Sequence, residues 1–397
     1  MAASGGFGCS DEFRLLPGEE NMGYRSKIDP NGLLEFSVVY TNRALNHMSR
    51  KFQKAMRNLN EGMCECYGAD KLIVVPGSGT FGMEAVARQL CKGKKVMTLR
   101  NGFFNYRWTQ IFEQGGLAAE EKSLLAKRSG DGDQAKYEPH PIDDVAAQIK
   151  AFKPDVVCAT HVETSAGIKL SDEYIKQAAQ AAHEAGALFV LDCIASGCAW
   201  VDMKETGVDV ITAAPQKGWS SAPCCGLVLI NERAEQAIKE SQSDSFALDL
   251  KKWLGIMQAY LDGGHAYHCT MPTNSLLQLA QTVAEAQEIG FGKLKRKQEK
   301  LGKKALALLE ESGFPSIAAK DCQAPSVLVC YTKDKDIQSG KAFAEAGMQV
   351  ASGVPLKCDE PSGFMTFRLG LFGVDKLLSI DEVLEDLKEG LEEVCDR

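Results

Sequence analysis

The chain has 397 residues, which at roughly 150 residues per domain allows two domains, or one large α/β domain with a smaller appendage. Hydrophobic residues make up 45% and charged residues 25%, as in globular proteins, which excludes disordered, collagen-like and coiled-coil classes. The 45 Lys and Arg residues against 53 Asp and Glu residues leave a net charge of −8, and no basic run is longer than 293–300. We therefore expect no nucleic-acid partner.

The sequence shows no membrane or export signal. No stretch approaches the roughly 18 uninterrupted apolar residues of a membrane span. The first 30 residues carry acids and glycines where a secretory signal would need an apolar run, and the final Cys395-Asp396-Arg397 is not a peroxisomal signal. We expect a cytoplasmic protein without a membrane partner.

The placement of the 14 cysteines favours reduced thiols over disulfides. Cys158, Cys193 and Cys330 lie inside apolar runs that predict buried strands. The pairs at 64 and 66 and at 224 and 225 lack the spacing of a zinc site, so we expect no metal.

Along the chain, residues 1–25 are Gly-rich and predict an arm, and short apolar runs then alternate with amphipathic ones, as in a parallel sheet with helical crossovers. The predicted strands are 71–75, 95–99, 155–160, 187–192, 208–213 and 226–230, with helices at 81–91 and 172–185 among them. A helical pattern at 274–312, strands at 326–331, 348–352 and 364–369, and an acidic helix from about residue 380 follow. The pattern predicts an α/β protein with an arm (1–25), a large domain (26–285) and a smaller α+β domain (286–397).

A glycine-rich loop follows the first predicted strand. Gly77, Gly79 and Gly82 let the backbone approach an anion, and the free N–H groups of the next helix favour a phosphate. The same glycines satisfy G-x-G-x-x-G, which is typical of dinucleotide sites. Arg100 and Asn101 stand where an acidic residue would hold a ribose, although an arginine there suits a 2′-phosphate. The glycines leave both interpretations open.

A second feature is an acidic residue and a lysine, each placed at or after the end of a predicted strand. Asp192 ends a buried strand, and Lys217 follows the next one, among small and apolar residues. Such surroundings lower the pKa of a lysine, which frees its amine to attack a carbonyl. The pair therefore indicates Schiff-base chemistry.

Seven segments carry a family resemblance. They are GSGTFGMEA (77–85), NGFFNYR (101–107), HVETSAG (161–167), DCIASG (192–197), APQKGWSSAPCCG (214–226), YHCTMP (267–272) and FRLGLFG (367–373). As an ordered set over nearly the whole chain, they resemble class V pyridoxal-phosphate (PLP) aminotransferases, above all the alanine–glyoxylate/serine–pyruvate aminotransferases. The resemblance implies PLP fold type I, with a mostly parallel seven-stranded sheet in the large domain and a smaller C-terminal α+β domain.

The resemblance also implies roles for single residues. Lys217 would hold the cofactor covalently and carry a proton, and Asp192 would pair with the pyridinium nitrogen. Phe104 and Ile194 would pack on opposite faces of the ring, and Thr164 would bond near the ring hydroxyl. The phosphate would be lined by Ser78, Gly79, Thr80 and Gln216.

Further implied roles concern the substrate and a second subunit. Arg368 would bind the substrate carboxylate in a two-point contact. Tyr267 and Thr270 would reach the phosphate of the neighbouring subunit, so a homodimer with shared active sites is implied. The implied reaction is transamination between a small α-amino acid, alanine- or serine-like, and a keto acid such as glyoxylate or pyruvate. Glu19 and Glu20, where relatives have a Gly-Pro-rich turn, put the substrate in question.

Three alternatives remain from the sequence. A 2-aminoethylphosphonate–pyruvate aminotransferase would need further cationic groups, with Arg43 and Arg107 as open candidates. A class V lyase or desulfurase would need a mobile cysteine, for which Cys358 is the one candidate. An NADP-binding oxidoreductase is the third alternative, but that function would not explain why Asp192 and Lys217 occur together.

Overall fold

A computed structural model describes residues 24–130 and 132–397. Most of the predicted arm, together with Glu19 and Glu20, lies outside the described residues. The strands are β1 (Lys71–Pro76), β2 (Lys95–Arg100), β3 (Glu120–Leu125), β4 (Lys127–Ser129), β5 (Lys136–Glu138), β6 (Val156–Thr160), β7 (Val162–Glu163), β8 (Ile168–Lys169), β9 (Leu188–Asp192), β10 (Val210–Ala213), β11 (Cys225–Ile230), β12 (Val327–Tyr331), β13 (Ala351–Ser352) and β14 (Thr366–Gly370).

The α-helices of the described residues alternate with these strands. They are α1 (Arg50–Tyr67), α2 (Gly79–Val86), α3 (Phe103–Gly115), α4 (Ile142–Phe152), α5 (Asp172–Glu184), α6 (Met203–Thr206), α7 (Glu232–Glu240), α8 (Leu250–Leu261), α9 (Thr273–Ile289), α10 (Phe291–Glu311), α11 (Lys335–Ser339), α12 (Lys341–Glu345), α13 (Val374–Leu378) and α14 (Ile380–Cys395).

The main sheet has seven strands in the order β1-β11-β10-β9-β6-β2-β3. The five from β10 to β3 are parallel, and β11 runs antiparallel to both β1 and β10. The prediction of a mostly parallel sheet is confirmed. The segment predictions omitted edge strand β3, because its sequence EEKSLL is charged and lacks the apolar run of a covered strand.

Several helical segments differ from the sequence prediction. Helix α1, which packs against α9, was not predicted. The single helical pattern at 274–312 is two helices, because Gly290 separates α9 from α10 with a φ of 99° that glycine adopts readily. The predicted helix at 81–91 begins two residues earlier and ends in a π-helical turn, Ala87–Cys91.

A second, three-stranded sheet occupies the C-terminal part in the order β12-β14-β13. Helices α10 and α14 pack on each other beside it, so this part combines helices with an antiparallel sheet as expected. The boundaries 26–285 and 286–397 stay predictions. Among the described residues, no helix combines the length and apolar character that crossing a bilayer requires.

Candidate active site

A cavity of about 190 Å³ lies where several strands of the main sheet end. Thr160, Asp192 and Thr212 are neighbours in register on β6, β9 and β10, so their side chains meet at one edge, as the carboxyl ends of parallel strands do. The cavity is lined by Ser78, Gly79, Thr80, Met83, Phe104, Arg107, Thr160, Val162, Thr164, Asp192, Ile194, Ala195, Gln216 and Lys217. The fold thus gathers nine of the twelve residues to which the resemblance assigned a role.

The glycine loop forms one wall because close packing demands glycine there. A Cβ on Gly79 would lie 2.7 Å from Ile194 Cδ1 and 3.1 Å from Ala214 Cβ. Gly77 has a φ of 129°, in the region that favours glycine. The loop ends at Ser78, which precedes the first turn of α2, and Ser78, Gly79 and Thr80 all line the cavity, so the free N–H groups of that turn lie at its wall.

The dinucleotide interpretation of this loop is wrong. In a Rossmann unit the strand before the loop pairs in parallel with the strand after the helix, whereas here β1 pairs antiparallel with β11, and β2 lies between β6 and β3. Arg100 donates instead to Thr109 Oγ1 and Ser123 Oγ, both at 2.6 Å. Gly82 is explained by packing, since a Cβ there would lie 3.2 Å from the backbone of Gly226.

Asp192 is buried at the end of β9, with 4% of its surface exposed. Its Oδ1 accepts from the Ile194 N–H at 2.9 Å and from Thr212 Oγ1 at 3.5 Å. Burial raises the pKa of Asp192 to about 7, although the Ile194 N–H and the charge of Arg107 oppose that rise. A buried carboxyl of this kind favours a cationic hydrogen-bond donor as its partner.

Lys217 lies in the turn after β10 and reaches the cavity half-buried. Burial lowers the pKa of Lys217, and the nearby Arg368 guanidinium lowers it further. The Nζ atom lies 4.7 Å from the ring centroid of Phe372, which follows β14. The turn is tight, since a Cβ on Gly218 would lie 2.1 Å from Gly197 O. The sequence-based expectation of a lysine with a lowered pKa agrees with this geometry.

Phe104 projects from the first turn of α3, and a buried carboxylate holds that turn. Glu163, which is 0% exposed, accepts at 3.0 Å from the Phe104 N–H through Oε1 and from the Asn105 N–H through Oε2. The Ser165 N–H and hydroxyl donate to the same Oε1 at 3.0 and 2.6 Å. Burial raises the pKa of Glu163, and these hydrogen bonds oppose the rise. Glu163 had no role assigned by sequence, although it lies within the quoted HVETSAG segment.

The remaining three predicted residues lie outside the cavity lining. Arg368, on β14, donates through Nε to Ser352 O at 2.8 Å, and its Cζ lies 5.5 Å from the ring centroid of Phe104. It therefore lies at the rim. Tyr267 is 52% exposed, and its hydroxyl lies 3.0 Å from Thr270 Oγ1. This chain does not bring Tyr267 or Thr270 to its own cavity.

The cysteine predictions can be checked at single positions. Cys158, Cys193 and Cys330 are buried, as predicted. Cys358 is 4% exposed, its Sγ donates to Arg100 O at 3.3 Å, and burial raises the pKa of its thiol to about 12. A buried neutral thiol is unsuited to nucleophilic attack, so the geometry contradicts the desulfurase alternative. Within the described residues, no group of three or more His, Cys, Asp or Glu side chains is arranged to hold a metal ion.

Curated relatives cover most of the chain. A relative named soluble hydrogenase, small subunit, from Synechococcus is 27% identical over 77% of this chain and 77% of its own. A 2-aminoethylphosphonate–pyruvate transaminase from Paraburkholderia phymatum is 26% identical over 77% of this chain and 79% of its own. An alanine–glyoxylate aminotransferase from Oryctolagus cuniculus is 23% identical over 88% and 87%.

Solved structures share the fold. The crystal structure of an alanine–glyoxylate aminotransferase from Nostoc superposes with a TM-score of 0.72 over 88% of this chain and 89% of that one, at 21% identity. The sequence model of the Aminotransferase class-V family matches residues 33–367. Since that match spans most of the chain, the protein belongs to the class-V aminotransferase family.

Proposed function

We propose that the protein transfers the amino group of a small α-amino acid, such as alanine or serine, to a small keto acid such as glyoxylate or pyruvate, with PLP bound in the cavity. The observation that carries the proposal is that Lys217, Asp192 and the N-terminus of α2 line the same cavity. A lysine amine, a buried acid and a phosphate-binding helix end are the three groups that PLP chemistry requires.

The cavity residues fit this cofactor. Phe104 and Ile194 offer an aromatic and an aliphatic surface to a planar ring. The carboxyl of Asp192 suits a protonated ring nitrogen, because a cation beside it compensates for its burial. Gly79 keeps the loop close to Ile194, and the N–H groups of α2 suit a phosphate.

When bound, PLP supplies an electron sink for the negative charge left after removal of the substrate Cα proton. Lys217 would move that proton, because burial and the nearby Arg368 lower its pKa and so favour the neutral amine that can accept it. Asp192 would hold a proton on the ring nitrogen, which strengthens the sink. Glu163, by fixing the first turn of α3, would keep Phe104 parallel to the ring.

We also propose a homodimer with shared active sites. Leu33, Phe36 and Val38 are large apolar side chains that lie exposed in one segment, and Tyr267 is exposed as well. Exposed apolar side chains of this size mark an interaction surface. The resemblance assigns Tyr267 and Thr270 of one copy to the cavity of the other, and neither residue lines the cavity of its own chain.

The name of one relative favours 2-aminoethylphosphonate as a second candidate donor. That substrate carries a phosphonate, and Arg107 is the further cation that lines the cavity. Arg107 contacts Thr80 of the phosphate loop, whereas Arg368 is the arginine that we find at the rim among the described residues. One rim arginine suits one carboxylate, so we favour the small α-amino acid. None of the lining residues is a cysteine or histidine, so the cavity offers no support for the hydrogenase name of another relative.

The test begins with the purified protein, which we expect to be yellow. Borohydride reduction followed by peptide mapping should place a pyridoxyl label on Lys217, and Lys217→Ala should abolish it. Lys357→Ala is the matched control, since its Nζ lies 5.7 Å from the Tyr106 ring near the site. A label on another lysine, no label, or a tightly bound nicotinamide would contradict the proposal.

A panel of amino donors against glyoxylate and pyruvate then assigns the substrate. Faster consumption of 2-aminoethylphosphonate than of alanine, serine or aspartate would favour the second candidate.

A further inference from the structure

Arg107 is a cation of the cavity that neither the proposed reaction nor the resemblance employs. It lies on α3 one turn after Phe104, and its Nη1 donates to Thr80 Oγ1 at 3.1 Å. Its Cζ lies 5.2 Å from the ring centroid of Phe104. The guanidinium is therefore held between the phosphate loop and the aromatic wall.

Arg107 has no carboxylate partner in the part of the chain that the structure describes. The arginine ion pairs of those residues involve Arg88, Arg100, Arg233 and Arg397, with nitrogen–oxygen distances up to 3.8 Å. A half-buried arginine that lines a cavity without an ion pair has guanidinium donors available for an anionic ligand.

The charge balance of the cavity calls for such a cation. Among the lining residues, Arg107 and Lys217 are the two basic side chains, and Asp192 is the acid. In the proposed function Lys217 binds the carbonyl end of the cofactor. The N-terminus of α2 supplies roughly half a positive charge, whereas a phosphate monoester carries about 1.5 to 2 negative charges near pH 7. The helix end alone leaves much of that charge uncompensated.

We propose that Arg107 is the fixed counter-charge for the phosphate group of the cofactor, acting with Thr80 and the first turn of α2. The proposal rests on the proposed function and adds a binding residue to it. Two arginines approach the ring of Phe104: Arg107 is tied to the phosphate loop, and Arg368 to Ser352 of the small domain. The two anions of the reaction, phosphate and substrate carboxylate, thus have one arginine each.

The experiment compares ligands that differ only in the phosphate. Cofactor-stripped protein is titrated with PLP and with pyridoxal, for the wild type, Arg107→Gln and Arg107→Lys. We expect Arg107→Gln to weaken PLP about ten- to hundredfold, the range of a charged hydrogen bond, and to leave pyridoxal unchanged. Arg107→Lys should recover part of the loss, since it keeps the charge but not the fork geometry. Arg88→Gln is the control: Arg88 pairs with Glu84 and Asp244 outside the cavity lining.

A second arm uses inorganic phosphate and does not depend on PLP. Phosphate should raise the thermal midpoint of the stripped wild type and the Arg88→Gln variant, and that rise should be absent in Arg107→Gln. Equal stabilisation of all variants by phosphate would overturn the proposal. Equal weakening of PLP and pyridoxal binding in Arg107→Gln would also overturn it, because Arg107 would then act by holding Phe104 in place and not by binding the phosphate. Loss of 2-aminoethylphosphonate turnover with unchanged PLP affinity would overturn it in favour of a substrate phosphonate. If the wild type binds no PLP but phosphate stabilises it through Arg107, the proposed function fails and the anion site stands.

Discussion

The Glu163 carboxylate accepts the backbone N–H of Phe104 at 3.0 Å, across 59 positions of chain. It thereby caps the first turn of α3, where the residue before the helix, Gly102, has no side chain to do so. A Cβ on Gly102 would lie 2.1 Å from Ser165 Oγ, which itself accepts from the Phe103 N–H at 2.8 Å. The loop after β6 thus determines where the aromatic wall of the cavity stands.

Replacing the Glu163 carboxylate should change the position of Phe104, because Glu163 holds the first turn of α3 and does not line the cavity. In Glu163→Gln an amide N–H₂ must face at least one backbone N–H, so a buried donor loses its acceptor. We expect a loss of about 1–3 kcal/mol in the free energy of unfolding and a weaker circular dichroism signal of the bound cofactor. Chemical denaturation and visible circular dichroism measure the two effects. Glu113→Gln, exposed on the same helix, is the control and should alter neither; an unchanged signal in Glu163→Gln would refute the positioning role.

The raised pKa of Asp192 predicts a pH-dependent stability of the cofactor-free protein. The folded-state pKa of about 7 exceeds the ordinary value of 3.8, so between these values the folded state binds the extra proton. Stability must then fall as pH rises through that window and become level above it. At about 1.4 kcal/mol per pKa unit, the loss reaches a few kcal/mol. Urea unfolding at pH 5 and pH 8 should show this fall in the wild type and not in Asp192→Asn. A difference between the two proteins that is independent of pH would contradict the assignment.

Arg368 should decide carboxylate binding from the rim. Its Nε already donates to Ser352 O, which leaves the terminal nitrogens for a substrate. Removing a charged hydrogen-bond pair worth roughly 1.5–3 kcal/mol should lower amino-acid turnover on the order of a hundredfold in Arg368→Ala. Arg368→Lys should restore it only in part, because an ammonium lacks the planar fork. Steady-state kinetics with alanine and glyoxylate provide the measurement, and a nearly silent Arg368→Ala would show that Arg368 is a structural residue.

Mixed dimers should reveal whether active sites are shared. When Lys217→Ala subunits are combined with Tyr267→Phe/Thr270→Ala subunits, a shared arrangement gives one site with native Lys217 and native Tyr267 and Thr270. That site should bind PLP with wild-type affinity, although neither parent homodimer does. Spectroscopic titration of the purified mixed dimer tests this outcome. Stable mixed dimers without a native site would mean that each subunit completes its own.

Six of the seven strands of the main sheet, with the residues that follow them, are local features that the sequence predicts. Asp192 and Lys217 end or follow apolar runs, and parallel strands place their carboxyl ends at one edge, so strand order along the chain was enough to expect them together. The glycine loop could be predicted in the same way, because the strand, the three glycines and the start of the helix are neighbours in the sequence. These features depend on local patterns, which a single sequence carries.

The choice between the two interpretations of that loop, and the identity of the side chains that support it, required the three-dimensional structure. The pairing of β1 with β11 rather than β2 excluded a dinucleotide fold, and strand neighbours that distant in sequence leave no mark on the local pattern. The contacts of Glu163 with α3 and of Arg107 with Thr80 join segments 59 and 27 positions apart. Such contacts depend on how the helices pack on the sheet, because the burial of these side chains and the charges around them are fixed only in the folded chain.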